Sequence, residues 1–315
     1  MVNILLLLVG FAALIIGADK LVDGASNLAQ RLGIPNIVIG LTIVAFGTSA
    51  PELVVNVFAA VENSTEMVLG NVIGSNLFNV LGILGICAII NPLTVKNNTT
   101  WIEIPLSLLA AVAVWVVAND VLLDDAPTNL ITRTDGLILL LFFAIFLVYN
   151  ITLSQKTNDE VDIDTKHYTY LKSIAFIVLG LVGLVVGGRL IVNSAVIIAQ
   201  TFGMSERVIG LTIVSIGTSL PELATSVVAV RKNNVDIAIG NVVGSNIFNI
   251  FFVLGISTVV NSVPVQDASF IDIMLNLVAG LLLFVFLFIG KGRRLERWEG
   301  IIFLTIYIAY IIYLL

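Results

Sequence analysis

The chain has 315 residues, 58% of them hydrophobic and only 11% charged, at a mean hydropathy of +1.09. Soluble domains carry roughly 25% charged residues, so a water-soluble globular protein is excluded. A net charge of −6 without a basic patch argues against nucleic-acid binding, and a single cysteine, Cys87, excludes a disulfide framework or a thiolate metal centre.

Crossing the hydrocarbon core takes about 20 apolar residues. Runs of that kind fall near 2–29, 35–60, 66–91, 101–118, 133–152, 170–202, 205–230, 235–261, 269–290 and 298–315. They predict an all-α polytopic membrane protein with ten transmembrane helices. The first run follows Met1 with no basic segment and no cleavage site, so it reads as a retained span rather than a signal peptide. Loops joining spans 1–2, 3–4, 5–6, 7–8 and 9–10 carry Arg31; Lys96; Lys156, Lys166 and Lys172; Arg231 and Lys232; and Lys291, Arg293, Arg294 and Arg297. The opposite loops carry Arg133 and Arg207. The positive-inside rule then puts both termini on the extracytoplasmic side of the cell (inner) membrane.

A shift of 170 residues superimposes Gly10 on Gly180 through Asn79 on Asn249 without a gap. Residues 40–53 match 210–223 at eleven of fourteen positions, and 70–79 match 240–249 at eight of ten. The chain therefore divides into a first five-span repeat (1–150), a cytoplasmic linker (151–169) and a second repeat (170–315). Five is odd, so the second repeat enters from the other face and the repeats are inverted, an arrangement that puts a transport site near the midplane where broken helices meet. The linker holds Asp159, Glu160, Asp162 and Asp164 but lacks the glycine and closing glutamate of a calcium-binding loop. It reads as a solvated connector.

Two motifs occur in both halves. Gly-Thr-Ser-x-Pro-Glu-Leu stands at 47–53 and 217–223, deep in apolar sequence. Thr48 and Glu52 lie one helical turn apart, with Ser49 adjacent. Pro51 has no N–H and frees the carbonyl of Gly47. Thr218, Ser219, Glu222, Pro221 and Gly217 repeat the set. Ionisable groups at membrane depth usually face a bundle interior or an ion path. A proline kink with a structural glutamate is the bland alternative, and duplication argues against it. The second motif, Gly-Asn-Val-x-Gly-Ser-Asn-x-Phe-Asn, places Ser75 and Asn79, then Ser245 and Asn249, at four-residue spacing. These can be ligands or interhelical glue. Asn71, Asn76, Asn241 and Asn246 carry a weaker signal. Gly70, Gly74, Gly240 and Gly244 read as close-packing steps.

The donors are carboxylate, hydroxyl, amide and carbonyl oxygens, with no sulfur and no imidazole. Such a set suits calcium or sodium and disfavours zinc, copper and nickel. No enzyme is expected: the single histidine, His167, lies in the linker, and Asp19 and Asp23 have no partner aspartates at matched depth for an aspartyl protease. A calcium channel with a glutamate ring remains an alternative, although inverted broken-helix repeats favour alternating access.

The paired Gly-Thr-Ser-x-Pro-Glu and Gly-Ser-x-x-x-Asn blocks resemble the two alpha-repeats of the sodium/calcium exchanger family, within the cation/calcium antiporter superfamily, and specifically its prokaryotic type. The resemblance covers essentially the whole chain. It implies an electrogenic antiporter that exchanges sodium for calcium, with both ions bound at the midplane and no cofactor. The implied ligands are Thr48, Ser49, Glu52, Ser75, Asn79, Thr218, Ser219, Glu222, Ser245 and Asn249, with backbone carbonyls at Ala45 and Ser215. Asn249 stands where many relatives and the potassium-dependent branch carry aspartate, which leaves two carboxylates rather than three and weakens the case for potassium. Calcium/proton exchangers show Gly-Asn-x-x-Glu instead, absent here, so sodium is preferred over either alternative. The expected partners are calcium and sodium ions and the lipid bilayer, with no nucleic acid and no obligatory protein partner. Gly10, Gly17 and Gly24, repeated as Gly180, Gly187 and Ser194, form a small-residue stripe. From the residues alone the stripe reads equally as tight static packing; the resemblance turns it into an expected surface on which spans 1 and 6, side by side, slide past the core.

Overall fold

A computed structural model describes residues 2–63, 65–156, 168–201, 215–289 and 292–314. Segments are numbered here as the predicted spans. Eight described helices are long and apolar enough to cross a membrane. They are segments 1 (Val2–Leu32), 3 (Thr65–Ile90), 4 (Thr99–Val117), 5 (Arg133–Lys156), 6 (Tyr170–Thr201), 8 (Val235–Val260), 9 (Ser269–Phe286) and 10 (Arg297–Leu314). Segment 2 is a bent pair, Asn36–Thr48 and Ala50–Val61, which passes the same test only when taken together. The chain is thus a mostly helical polytopic membrane protein with eight such helices, or nine with the bent pair counted as one span. Segment 7 is described from Ser215 onward, as Ser215–Thr218 and Leu220–Arg231. Its expected beginning at 205–214, Arg207 included, and most of the expected linker (157–167, with His167) lie outside the described residues.

The loops cross-link in two separate sets. Leu93–Thr94 pairs antiparallel with Arg294–Leu295, joining loop 3–4 to loop 9–10. Lys96 meets Asp236 at 2.9 Å, which adds the start of segment 8. Arg31 and Asn27, at the end of segment 1, bond the backbone of Tyr168 in the linker. The second set joins the other loops: Leu130–Ile131 pairs with Val263–Pro264, and Asn261 donates to Asn63 at 2.9 Å. The loops that carry most of the cations form one face.

Segments 3 and 8 form the centre. In segment 8, 94% of the most apolar window is buried, against 22% in segment 10. Both central helices widen into π-helix from the last two residues of the second motif onward, at Phe78–Leu84 and Phe248–Leu254. A π turn adds a residue and leaves the helical hydrogen-bond ladder out of register, a feature common at functional sites. The two widenings stand 170 residues apart.

Segments 1 and 6 run side by side for most of their length. The small-residue stripe lies between them rather than against the core, which corrects the expected sliding surface. A methyl group added at Gly17 would sit 2.9 Å from the carbonyl oxygen of Gly180 and 2.8 Å from the amide of Leu184. At Gly187 it would meet the Gly10 carbonyl oxygen at 2.8 Å. Backbone at that range leaves no room for a Cβ, so the glycines join the two helices into one unit. Toward the core this unit presents larger side chains: Leu181 lies over Gly47, and Val192 over Gly217.

The glycines of the second motif behave differently in the two halves. Gly240 and Gly244 press on segment 2, where an added Cβ would come within 2.8 Å of Ile37 O and of Ala45 Cβ. The packing expectation holds there. Gly70 and Gly74 have nothing within 4 Å among the described residues, and the matching partners, around 207–215, fall mostly outside them.

Candidate functional site

Segment 2 breaks at Ser49, whose φ of −86° and ψ of 8° leave the helical region, and the two halves meet at 47°. Ser219 does the same with φ −92° and ψ 9°. Pro51 and Pro221 each sit second in the helix that follows the break. A missing N–H costs nothing there, because that first turn has no internal acceptor for it. Each proline therefore fixes where its helix restarts, and the glutamate one residue later falls in the first turn.

The break sends the motif side chains across to the other half. Ser49 donates to Glu222 Oε1 at 2.8 Å, and Ser219 donates to Glu52 Oε1 at 3.2 Å. Glu52 and Glu222 are each 1% exposed and lie close enough to feel each other's charge. The sequence placed Thr48 and Glu52 on one helical face. In the structure the hydroxyls of each half serve the carboxylate of the other. Thr48 donates as well to Asn241 Oδ1 at 3.1 Å, tying the first motif to the second.

The second motif crosses over in the same way. Asn79 Nδ2 donates to Asn246 Oδ1 at 2.9 Å, Asn249 Nδ2 to Asn76 Oδ1 at 3.1 Å, and Asn76 Nδ2 to the Asn246 carbonyl at 3.2 Å. With its amine held, each of Asn79 and Asn249 has its amide oxygen left over. Asn76, Asn241 and Asn246 are thus structural members of the site, although their sequence signal was weak. Their duplication at 71–76 and 241–246 was the available clue.

Six buried oxygens of these residues have no hydrogen-bond partner: Glu52 Oε2, Glu222 Oε2, Ser75 Oγ, Ser245 Oγ, Asn79 Oδ1 and Asn249 Oδ1. They form three pairs related by the 170-residue shift. A buried polar atom without a partner costs about 1–3 kcal/mol, so six in one motif set call for a cation that would satisfy them. All six are hard oxygens, and calcium takes six to eight of these. Of the two expected carbonyls, that of Ala45 already accepts from Ser49 N at 3.0 Å and Thr48 Oγ1 at 3.3 Å. Ser215 opens its short helix at the matching position.

One asymmetry stands out. Asn241 Nδ2 donates to the Glu222 carbonyl at 3.2 Å and to Ser226 Oγ at 2.9 Å. In the first half Asn56 replaces that serine and itself donates to the Glu52 carbonyl at 2.7 Å, leaving Asn71 Nδ2 without a partner.

Fold and site together define a polytopic membrane transporter of cations. The chain belongs to the sodium/calcium exchanger protein family, whose model matches residues 2–152 and 172–315. It is 32% identical over 345 residues to the sodium/calcium exchanger MaX1 of Methanosarcina acetivorans, covering 99% of this chain and 98% of that one. It is 36% identical to the inner membrane protein YrbG of Escherichia coli, covering 84% and 82%. Among solved structures, the sodium-calcium exchanger NCX_Mj soaked with 10 mM Na+ and zero Ca2+ superimposes with a TM-score of 0.84 at 32% identity, over 98% of this chain and 97% of that one.

Proposed function

We propose that this chain is a secondary antiporter that exchanges sodium for calcium by alternating access. The observation that carries the proposal is the set of six unpartnered oxygens, one of each pair from each half, around two carboxylates held by the opposite half. Thr48, Ser49, Glu52, Ser75 and Asn79, with Thr218, Ser219, Glu222, Ser245 and Asn249, form the ion site. The carbonyls of Ala45 and Ser215 contribute at its edge. Two carboxylates can neutralise one calcium ion or share their charge among several sodium ions, so the same oxygens serve both in turn.

In this account the chain comprises two inverted repeats of five spans, 1–150 and 170–315, joined by a cytoplasmic linker at 151–169. The two separate sets of loop cross-links support that alternation, because strands and ion pairs join loops of like parity. The excess of Lys and Arg in one set puts it in the cytoplasm and both termini outside the inner membrane. Segments 1 and 6, joined along their glycines, move as one unit against the core. Three sodium ions per calcium would carry one net charge per cycle, worth about 2.3 kcal/mol per 100 mV.

Calcium-45 uptake into proteoliposomes loaded with sodium tests the proposal. Uptake should require the outward sodium gradient and rise when the interior is made positive. It should not change when potassium is replaced by choline, because Asn249 supplies no third carboxylate. Uptake that needs no sodium gradient beyond its effect on voltage would indicate a channel and contradict antiport.

A further inference from the structure

A cleft of about 430 Å³ lies between segment 1 and the end of segment 7 and takes no part in the ion site. Ile15, Ile16 and Val228 form its apolar floor, and Asp19, Lys20, Arg231 and Lys232 its rim. Ile15 and Ile16 are 58% and 59% exposed, one turn of helix before Lys20. Apolar residues followed within a turn by cations mark the depth where hydrocarbon gives way to headgroups.

The charges on the rim are not equivalent. Lys232 Nζ meets Asp19 Oδ1 and Asp23 Oδ1 at 2.6 Å each. Burial works against its charge, but the two carboxylates outweigh that and move its pKa up. Lys232 is therefore a fixed cation that uses up both aspartates. Lys20 is left with a loose 3.6 Å contact to the already paired Asp19 and a place over the Phe176 ring. Arg231 is exposed and makes no ion pair among the described residues. Three cations against one carboxylate on the rim would repel calcium and sodium, so the cleft does not suit cation access.

We propose that this cleft holds an anionic phospholipid, with Lys20 and Arg231 on its phosphate and its acyl chain over Ile15, Ile16 and Val228. Basic pockets between membrane helices on the cytoplasmic side suit anionic headgroups. The side of the membrane follows from the orientation proposed above. A lipid there bridges segment 1 and the core helix 7, so its presence bears on how the two pack.

Native mass spectrometry of the full chain tests this, in micelles containing equal phosphatidylglycerol and phosphatidylcholine. The wild-type chain should retain phosphatidylglycerol several-fold over phosphatidylcholine. The double variant Lys20→Gln/Arg231→Gln should lose that preference, while Arg133→Gln, on the opposite face, keeps it. Arg231 is exposed and Lys20 partly so, and the wild-type measurement decides even if the variant is unstable. No preference in the wild type, an unchanged preference in the double variant, or displacement of the lipid by inorganic phosphate would each overturn the proposal. Sodium-driven calcium-45 uptake by the same purified chains, reconstituted into proteoliposomes, separates the two accounts. Uptake without lipid preference defeats the cleft alone, and lipid preference without uptake defeats the transport proposal alone.

Discussion

In Val235–Val260, 94% of the most apolar window is buried, and in Met67–Ile90 78%; Ser269–Phe286 and Arg297–Leu314 bury 28% and 22% of theirs. All four are apolar enough to cross a membrane, so hydropathy does not separate the pairs. The placement of polar residues does. Segments 3 and 8 carry asparagine and serine on several faces, and in the helix Val235–Ile247 every residue from Ile237 onward is buried. Segments 9 and 10 keep acids near their first turns, where Asp272 accepts from Tyr310 Oη at 2.8 Å and Glu299 accepts from Glu296 N at 2.7 Å. A central helix uses polar residues to cross-link the two halves. An outer helix uses apolar surface to meet lipid and keeps its few acids near its start.

The sharpest way to break this contrast is to alter the carboxylates at the centre. Glu52→Gln and Glu222→Gln keep volume but remove a charge that a divalent ion needs. Sodium-driven calcium-45 uptake should fall to background in each, with the thermal midpoint retained. Full uptake in either variant would remove that residue from the site.

A smaller loss is expected from the asparagines behind the proposed ligands. Asn246→Leu leaves Asn79 Nδ2 without its acceptor, and Asn76→Leu does the same to Asn249. At about 1–3 kcal/mol for a buried donor left unpaired, calcium affinity should drop roughly tenfold, with a lesser change in the maximal rate. Unchanged affinity, measured by calcium titration of the purified chain, would show that the amides orient themselves without help.

Next come segments 1 and 6. Gly17→Leu or Gly187→Leu forces side chains into backbone at under 3 Å, an overpacking worth about 1–3 kcal/mol. The thermal midpoint and the turnover rate should fall together while calcium affinity is kept. Slower turnover at an unchanged midpoint would return the stripe to the sliding surface first expected of it. Least of all should follow from Ile312→Ala on the lipid face of segment 10, 68% exposed. Surface changes of that kind stay within about 0.5 kcal/mol, and a larger shift in the thermal midpoint would show that this face is covered.

The sequence made the segments legible because apolar length and loop charge are local properties. The predicted span 235–261 and the observed Val235–Val260 differ by one residue. The duplicated glutamates and serines were legible because their chemistry is costly in hydrocarbon. The exchange between halves was not legible. Helical spacing put Thr48 beside Glu52, but the break at Ser49 interrupts that helix, and Ser49 bonds Glu222, 173 residues away. Periodicity describes one helix at a time and carries no information on which helix lies opposite. Nor does the spacing of the glycine stripe in segment 1 name its partner, which is the equivalent stripe in segment 6 rather than the core.

The central claim is that both halves build one site, with a carboxylate from each. Calorimetric titration of calcium into the purified full chain, without sodium, tests it most directly, using the wild type beside Glu52→Gln and Glu222→Gln. One calcium ion per chain is predicted for the wild type, with high-affinity binding lost in each single variant. Two ions per wild-type chain, with one surviving in each variant, would mean that each half holds its own site and would contradict the account.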